Sequence, residues 1–329
     1  MIQGLKVAAV IPAYRVGREI AGVVAAVPPE VDSIVVVNDA SPDDLSRVLD
    51  QLADPRLVVL THEKNQGVGG ATVTGMLAAL ELGCDVVVKC DGDGQMDPAQ
   101  IALLVEPLAS GLADHAKGSR FHHGRELRKM PRLRFFGNVI LTFLTKLASG
   151  YWNILDPVNG FFATRADVLR TLPLHRLARR YFFESDLLIQ LNIQEARVAD
   201  VPLPAKYGDE PSSLSPVRVA IDFPPRLVGG LIKRVFWRYV FYDVSPVAVF
   251  GLLGSISSIA GLGFGIYQWI VHYRNEEFTP PGTVVIVTLL LIFGFELLLQ
   301  ALVLDIHNTP RPGRREDDVL RRRSFAARS

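Results

Sequence analysis

The sequence of 329 residues predicts an α/β domain with a mostly parallel sheet, followed by juxtamembrane helices and a transmembrane hairpin of two helices. Three observations support this prediction. Short apolar runs alternate with helical patterns up to residue 112, which is typical of a parallel sheet covered by helices. A basic, aromatic-rich stretch follows at residues 226–244. The segments 246–271 and 281–304 are then each apolar and long enough to cross a bilayer.

The apolar runs predict four strands, and each strand leads into a polar loop. The strands are expected at 5–13, 33–38, 57–61 and 85–90, and the helices near 15–27, 43–53, 70–83 and 98–109. Because the carboxyl ends of parallel strands meet at one edge of the sheet, we expect the loops to share one crevice. The loops are Pro12 to Arg15, Asn38 to Pro42, Lys64 to Gly67, and the segment that begins at Asp91.

The fourth strand ends in alternating carboxylates. Its β-branched run, 86–88, indicates a strand that is buried on both faces, and Asp91, Asp93 and Gln95 follow at every second position. Their oxygens are hard ligands suited to Mg²⁺ or Mn²⁺ on a diphosphate. A simple surface turn is the alternative, because Asp and Gly are common in turns. An EF-hand is excluded, since Met96 occupies the position where a calcium loop needs Gly.

A glycine-rich segment, 67–72, lies at the start of the third helix. It is not a dinucleotide fingerprint, because Thr72 stands where the last Gly is required, and it is not a P-loop, because Met76 stands where Lys is required. Its backbone N–H groups at a helix N-terminus are expected to be available to an anion. A plain helix start fits the same pattern.

Charge and cysteine content narrow the class of protein. The net charge of +1 gives no overall field that would attract nucleic acid. Cys84 and Cys90 form neither a disulfide framework nor a zinc pattern, which is typical of a reducing compartment. The apolar run 7–11 is too short and too early for a signal peptide, so it is assigned to the first strand.

Four motifs at the ends of the predicted strands carry a resemblance to a known family. They are Ile11 to Tyr14, Val36 to Ser41, Asn65 to Ala71 and Cys90 to Gln95. In this order and spacing they resemble the family 2 glycosyltransferases, which have the Rossmann-like GT-A fold, and more closely the polyprenyl-phosphate glycosyltransferases of the dolichol-phosphate mannose synthase group. The resemblance covers residues 5–240. It implies a GT-A domain over 1–225, a nucleotide-sugar donor, a polyprenyl phosphate acceptor and an Mg²⁺ or Mn²⁺ cofactor.

The resemblance also implies roles for individual residues. It assigns the nucleotide to Pro12, Tyr14, Asp39, Asn65, Gly69 and Asp91. It assigns the metal to Asp91, Asp93 and Gln95, with Asp93 also counted as catalytic. The chain has Asn38 where the family often has an Asp, so a role for that first acid is not carried over.

A fifth strand is predicted to end at Ser119 and Arg120. The resemblance implies that Arg120 is catalytic and binds the acceptor phosphate, together with Ser119, Arg134 and Asn138. A planar guanidinium suits this task, because it can bind two phosphate oxygens at once. The other cations between 125 and 134 fit a solvated basic loop equally well.

Three further acids are candidates for the catalytic set. Asp156 lies in a segment, 156–162, that resembles the acceptor-side loop of the family. Glu184 and Asp186 open a helix, where acids are also favoured by the helix dipole. The resemblance implies one functional acid in this region and does not choose between these two.

Several segments are predicted to meet a membrane. An amphipathic helix near 131–150 fits either the membrane interface or a core-packed position. The cations of the stretch 226–244 are expected at the membrane surface; they are Arg226, Lys233, Arg234 and Arg238. Glu296 lies near the midplane of the second span, where an acid needs a partner in its helix pair, another subunit or the lipid.

Charge asymmetry predicts the orientation in the membrane. The turn 272–280 has one arginine against two acids, whereas the tail 307–329 has seven arginines against three acids. Positive residues stay on the cytoplasmic side, so the catalytic domain and both termini are expected there, in the plasma or inner membrane or, in a eukaryote, the endoplasmic reticulum. The membrane helices are a possible site of homo-oligomer formation.

The acceptor chemistry predicts an inverting transfer. A phosphate monoester is already ionised near neutral pH, so its oxygen can attack the anomeric carbon without a general base. Two rival functions are a processive polysaccharide synthase and a non-catalytic nucleotide-sugar-binding membrane scaffold. The first rival would carry a Gln-x-x-Arg-Trp motif, which this sequence lacks. The second rival is disfavoured by the presence of Asp91, Asp93 and Arg120. No motif specifies the sugar, or UDP rather than GDP.

Overall fold

The computed structural model of the chain describes residues 1–119, 132–203, 216–242 and 244–313. Two compact units are present. The first unit is Met1–Leu231 with Pro310–Ser329, and the second unit is Ile232–Thr309. The first unit contains the sheet, and the second contains two long apolar helices.

The first unit is built on a seven-stranded sheet. The strands are β1 (Val7–Ala13), β2 (Ser33–Asn38), β3 (Leu57–Thr61), β4 (Val86–Lys89), β5 (His115–Ser119), β6 (Phe162–Arg165) and β7 (Val198–Pro202). Their order across the sheet is β3-β2-β1-β4-β6-β5-β7, with β6 antiparallel to both of its neighbours and the other pairs parallel. The predicted α/β fold with a mostly parallel sheet is confirmed.

Helices cover both faces of this sheet. They are α1 (Ile20–Ala25), α2 (Leu45–Asp50), α3 (Gly67–Glu81), α4 (Ile101–Ala109), α5 (Arg132–Ser149), α6 (Ala166–Thr171), α7 (Phe183–Ile193) and α8 (Pro216–Phe236). Side chains alternate along β1, so that Val7, Ala9 and Ile11 pack in one core with α1 and α4. Ala8 and Val10 point to the opposite face and pack in a second core with α3 and α7.

The strand order determines where the site lies. The chain proceeds from β1 outward through β2 to β3, and then returns to place β4 on the other side of β1. Open α/β sheets bind ligands at such a reversal, in the crevice beyond the carboxyl ends of the strands. Strand β5 is parallel to β4, because both are antiparallel to β6, so Ser119 ends at the same edge as the Asp91 loop.

Helices α5, α7 and α8 form a third apolar cluster, which includes Ala148, Ile189 and Leu227. The other side of α5 is uncovered in the described structure, and Val139, Ile140 and Phe143 are each about half exposed. Helix α5 therefore combines the two predicted alternatives, because one side packs in a core and the other is apolar and exposed. Helix α8 has a similar exposed face of three apolar residues one turn apart; they are Val228, Ile232 and Phe236.

The second unit contains α9 (Pro246–Arg274) and α10 (Pro281–His307). Both helices are long and apolar enough to cross a membrane, and only 17% and 6% of their most apolar stretches are buried. They are therefore not the core helices of a globular domain. The two backbones come close together at Gly254 and Gly294, where a Cβ atom at Gly254 would meet Leu298 at 2.9 Å. Glu296 is exposed and accepts a hydrogen bond from Gln300 one turn later in its own helix, at 3.1 Å.

A buried ion pair ties the last turn of α10 to the end of α8. The two terminal nitrogens of the Arg234 guanidinium, Nη1 and Nη2, donate to the carboxylate of Asp305 at 2.7 and 2.9 Å. The Tyr239 hydroxyl donates to the same carboxylate at 2.7 Å. Arg238 donates to the Asn308 carbonyl at 2.7 Å. Burial, with the nearby Asp305 charge, raises the pKa of Tyr239 to about 12.

These contacts correct one prediction from the sequence. Arg234 and Arg238 were expected to face the membrane surface, but they are 1% and 8% exposed because their guanidinium groups pair with the end of α10. Arg226 is exposed, as expected of a surface cation.

Candidate active site

The carboxylate of Asp39 organises the loop that follows β2. Asp39 follows β2 and is 2% exposed. It accepts hydrogen bonds from the backbone N–H groups of Gln66 and Gly67, both at 2.8 Å, and from Nδ1 of His62 at 2.7 Å. The other ring nitrogen of His62 pairs with the Thr74 hydroxyl at 2.9 Å. Asp39 thus connects the end of β2 to the start of α3. Its contact with the nucleotide stays a prediction.

The glycines at the start of α3 allow a second chain segment to pack closely. A Cβ atom at Gly67 would lie 2.6 Å from the Arg179 carbonyl, and one at Gly69 would lie 2.3 Å from the Ala178 carbonyl. The Gly70 N–H donates to the Arg179 carbonyl at 3.0 Å. These glycines are therefore required by the approach of segment 178–180.

The expectation that this helix start offers its N–H groups to an anion is wrong for three residues. The N–H groups of Gln66 and Gly67 are taken by Asp39, and that of Gly70 is taken by Arg179. A carboxylate and a carbonyl of the chain itself fill the role that was predicted for an external anion.

The other residues that were predicted to bind the nucleotide lie around the ends of β1 and β2. Pro12 is buried near the end of β1. Tyr14 is 42% exposed, and the Arg15 guanidinium carbon lies over its ring, 5.3 Å from the ring centre. Asn65 donates to the Asp39 carbonyl at 3.1 Å. Asn38 stands at the position where the family often has an Asp. Its side chain donates to the Ser46 hydroxyl at 2.9 Å, so it stabilises its own loop. The exposed ring of Tyr14 is well placed to stack on a base.

The carboxylate loop lies next to the end of β1. A Cβ atom at Gly92 would lie 3.3 Å from the Pro12 carbonyl, which shows that the loop after β4 packs against the last residues of β1. Asp91 and Asp93 are partly exposed, and Gln95 is exposed. Asp93 accepts the backbone N–H of Gln95 at 3.0 Å, which gives the loop a compact turn.

The donor set of this loop fits a divalent cation that is shared with a phosphate ligand. Among the residues that the structure describes, no three His, Cys, Asp or Glu side chains form a cage for a metal ion. Mg²⁺ is usually held by one or two carboxylates together with substrate phosphates, rather than by a cage of protein ligands. Two carboxylates and an amide on one partly exposed loop match that arrangement.

A buried lysine lies directly behind the carboxylate loop. Lys89 is the last residue of β4, and its ammonium donates to Asp91 Oδ1 at 2.7 Å, to Glu184 Oε1 at 3.2 Å and to the Gly160 carbonyl at 3.3 Å. Burial alone would lower its pKa, but the carboxylates of Asp91 and Glu184 raise the pKa of Lys89 above its ordinary value. Lys89 therefore stays charged.

The contacts of Glu184 and Asp186 differ. Glu184, at the start of α7, is 9% exposed and joins Lys89 and Asp91. Asp186 Oδ2 accepts the backbone N–H of Ala178 at 2.9 Å, which anchors segment 178–180. Of the two acids that the sequence could not separate, Glu184 is the one that contacts the carboxylate loop through Lys89.

Most of segment 156–162, which was predicted to be the acceptor-side loop, is buried beneath the same edge. Asp156 is fully buried, and the Asn159 side chain donates to the Gly118 carbonyl at 2.7 Å. Lys117 donates to the Asn159 carbonyl. The Ser119 hydroxyl is buried and has no hydrogen-bond partner among the described residues. Arg120 lies outside the described residues, as do the side chains of Arg134 and Asn138.

Replacement of Gly160 with alanine is expected to disrupt the carboxylate loop. A Cβ atom at this position would lie 2.6 Å from the Lys89 ammonium and 2.8 Å from Asp91 Oδ2, so one of them must move. Displacing a group of a reactive site by about 1 Å can cost about 100-fold in rate. The measurement is the rate of sugar transfer. The control is Gly22→Ala, because Gly22 lies on the exposed side of α1 and its Cβ would meet nothing within 4 Å. Equal rates in the two variants would contradict the geometry.

Replacement of Asp39 with asparagine is expected to loosen the start of α3. The amide group places a donor against the N–H groups of Gln66 and Gly67, so at least one of them loses its acceptor. A buried unsatisfied polar group costs about 1–3 kcal/mol. Thermal unfolding in detergent measures the loss, with Asp43→Asn, a more exposed acid of the same loop, as the control. Stability equal to that of the wild type would contradict this role of Asp39.

The sequence alone did not indicate the partners of Lys89, His62 or segment 178–180. The pairs are far apart in the chain, since Lys89 and Glu184 are separated by 95 positions. One signal was present: a lysine at the end of an otherwise apolar buried strand must find an anionic partner.

Comparison with known proteins agrees with the motifs. Residues 8–172 match the family model described as Glycosyl transferase family 2. The UDP-N-acetylglucosamine–dolichyl-phosphate N-acetylglucosaminyltransferase of Methanococcus voltae is 32% identical over 253 residues, which is 72% of this chain and 96% of that protein. The undecaprenyl-phosphate mannosyltransferase of Micrococcus luteus is 33% identical over 178 residues, which is 53% of this chain and 72% of that protein.

A solved structure supports the same fold. The glucosyl-3-phosphoglycerate synthase from Mycobacterium tuberculosis, in complex with uridine diphosphate, superimposes with a TM-score of 0.53 at 22% identity, covering 70% of this chain and 80% of that chain. The fold is therefore GT-A. The chain belongs to glycosyl transferase family 2 and is a glycosyltransferase.

Proposed function

We propose that this protein transfers a sugar from a nucleotide sugar to a polyprenyl phosphate at a membrane surface. The observation that carries the proposal is the position of Asp91 and Asp93 at the carboxyl end of β4, next to Pro12 and Tyr14 at the end of β1. A nucleoside diphosphate can span these two loops, with its base on the β1 side and its diphosphate on the β4 side. The names of the relatives from Methanococcus voltae and Micrococcus luteus describe transfer to a lipid phosphate, which supports this acceptor.

Exposed apolar surfaces support a lipid acceptor. Helix α5 exposes Val139, Ile140 and Phe143, and helix α8 exposes a second apolar face. The π-helical turn Trp237–Phe241 then carries a cluster of aromatic rings, in which the ring centres of Trp237 and Phe241 lie 4.7 Å apart. Aromatic side chains and amphipathic helices favour the membrane–water interface. The lipid phosphate would lie at this interface.

We further propose that Asp91, Asp93 and Gln95 hold Mg²⁺ or Mn²⁺ on the donor diphosphate. When bound, such an ion stabilises the negative charge of the leaving nucleoside diphosphate. The related fold from Mycobacterium tuberculosis was crystallised with Mn²⁺ or with Mg²⁺, each together with uridine diphosphate.

The chain's own residues prepare the site for an in-line displacement. Lys89 donates hydrogen bonds to Asp91 and Glu184, and Gly160 leaves room beside Asp91. Ser119 lies at the same sheet edge, where Arg120 and the lipid phosphate are expected. The phosphate oxygen attacks the anomeric carbon, the bond to the leaving diphosphate breaks, and the configuration at that carbon inverts. Because the acceptor is already ionised, no residue has to remove a proton.

The test is sugar transfer by the full chain in nanodiscs that contain undecaprenyl or dolichyl phosphate. Radiolabelled UDP- and GDP-sugars are supplied one at a time, with Mn²⁺, with Mg²⁺ or with EDTA. We expect label from one donor to enter the organic-extractable lipid, and only when metal is present. Label in a polymer, or no transfer from any donor, would contradict the proposal.

The cytoplasmic orientation and self-association belong to the same proposal. The arginine-rich tail and the catalytic unit are expected on one side of the membrane. Protease protection of sealed vesicles tests this orientation, and native mass spectrometry in detergent tests for a homo-oligomer.

A further inference from the structure

The ammonium of Lys89 occupies an unusual place for a charged group. Lys89 is fully buried at the end of a strand whose other residues are valines. Its three hydrogens match three acceptors, namely Asp91 Oδ1, Glu184 Oε1 and the Gly160 carbonyl. Burying a charge is costly unless it is paired and hydrogen-bonded, and a packed apolar side chain at such a position is often no less stable. Stability alone therefore does not account for a lysine here.

We propose that Lys89 is a positioning residue that orients Asp91 toward the donor diphosphate. The proposal rests on the proposed function, because it takes Asp91 to be a ligand of the donor's metal ion. Lys89 engages one carboxylate oxygen of Asp91, while Gly160 leaves room beside the other. Asp91 keeps 27% of its side chain exposed, so it connects the buried ammonium to the open loop.

Charge balance explains the place of Glu184 in this arrangement. Lys89 neutralises one of the two carboxylates that it contacts, so the three residues together carry a single negative charge. Asp93 adds a second negative charge on the same loop. The loop therefore presents two negative charges to the divalent cation that it would share with the donor diphosphate. Without Lys89, Asp91 and Glu184 would be like charges close together, and Asp91 would lose the contact that holds its orientation.

Contacts of this kind affect metal affinity in other proteins. Groups that hydrogen-bond to metal ligands orient them, and their removal typically costs about 10- to 100-fold in metal affinity or activity. The contact between Lys89 and Asp91 is short, and its donor is fully buried, which is the geometry that such a role needs.

The test compares three proteins: the wild type, Glu184→Gln, and the double variant Lys89→Met with Glu184→Gln. The single variant Lys89→Met leaves Glu184 without a cation and is expected to fold poorly, whereas the double variant removes cation and carboxylate charge together. Two quantities are measured on the full chain in detergent. They are the melting temperature without metal, and the dissociation constant for Mn²⁺ with UDP or GDP by titration calorimetry.

We expect the double variant to have a melting temperature close to that of Glu184→Gln. We expect it to bind Mn²⁺ with the nucleotide about 10- to 100-fold more weakly than Glu184→Gln does. Equal dissociation constants in the two variants would overturn the proposal, because a purely structural lysine would affect melting alone. If the wild type binds the nucleotide with metal but transfers no sugar to lipid, the proposed acceptor is contradicted. The dissociation constants of the two variants would still test the role of Lys89. A wild type that binds no nucleotide with metal would contradict both.

Discussion

Replacing Asp93 with alanine is expected to reduce sugar transfer by about 100- to 1,000-fold, which is the scale observed when one preorganised electrostatic contact to a transition state is removed. Asp93 lies on the partly exposed loop after β4, and its backbone contact with Gln95 is local. The fold should therefore tolerate the change, and the melting temperature should stay close to that of the wild type. The measurements are the rate of transfer at saturating donor and the melting temperature.

The matched control is Asp97→Ala, because Asp97 is an acid four residues further along the same loop. Its carboxylate accepts the backbone N–H of Ala99 at 3.1 Å and caps the turn that leads into α4. Loss of such a cap costs about 1 kcal/mol of stability. We expect Asp97→Ala to lower stability and keep most activity, the reverse of Asp93→Ala. Similar activity losses in the two variants would indicate a general disturbance of the loop.

Replacing Asp305 with alanine is expected to cause the largest loss of stability in the second unit. Arg234 is 1% exposed, and its Nη1 and Nη2 atoms donate to Asp305. Removing one partner of a buried ion pair typically costs about 3–5 kcal/mol, because the other charge is left uncompensated. Thermal unfolding in detergent, followed by tryptophan fluorescence, measures the effect.

Two controls show whether the loss comes from the unpaired charge. Glu276→Ala removes an exposed acid from the turn between α9 and α10, and it should leave stability nearly unchanged. The double variant Arg234→Met with Asp305→Leu removes both charges, and it should recover most of the lost stability. A double variant as unstable as Asp305→Ala would show that the pair is not the cause.

The elements of the sheet could be predicted from the sequence because their signals are local. Buried parallel strands are continuous apolar runs, and β2 has the predicted bounds, 33–38. The partly exposed edge strand β3 is also an apolar run, and it has the predicted bounds, 57–61. The carboxylate loop was equally visible, because Asp91 and Asp93 follow directly after such a run. The antiparallel strand β6 was not among the predicted strands, since its four residues have no distinctive period.

The internal contacts of the site could not be predicted, because they join residues that are distant in sequence. The glycines of 67–70 suggested an anion site, but the tertiary fold brings Asp39 and the carbonyl of Arg179 to the same N–H groups. The basic stretch before the membrane helices suggested a lipid-facing surface, but Asp305 lies 71 positions after Arg234 and buries it. In both cases the residue type was informative, and the partner depended on the fold.

The position of the donor's metal ion tests the central claim most directly. Crystals or single particles of the full chain can be prepared with Mn²⁺ and the nucleoside diphosphate that binds best, and the anomalous signal of manganese or the map density locates the ion. We expect one ion bonded to Asp91 and Asp93, at the edge shared by β1 and β4, with Lys89 still in contact with Asp91. An ion bound elsewhere, or a nucleotide bound away from that edge, would contradict the assignment of the site.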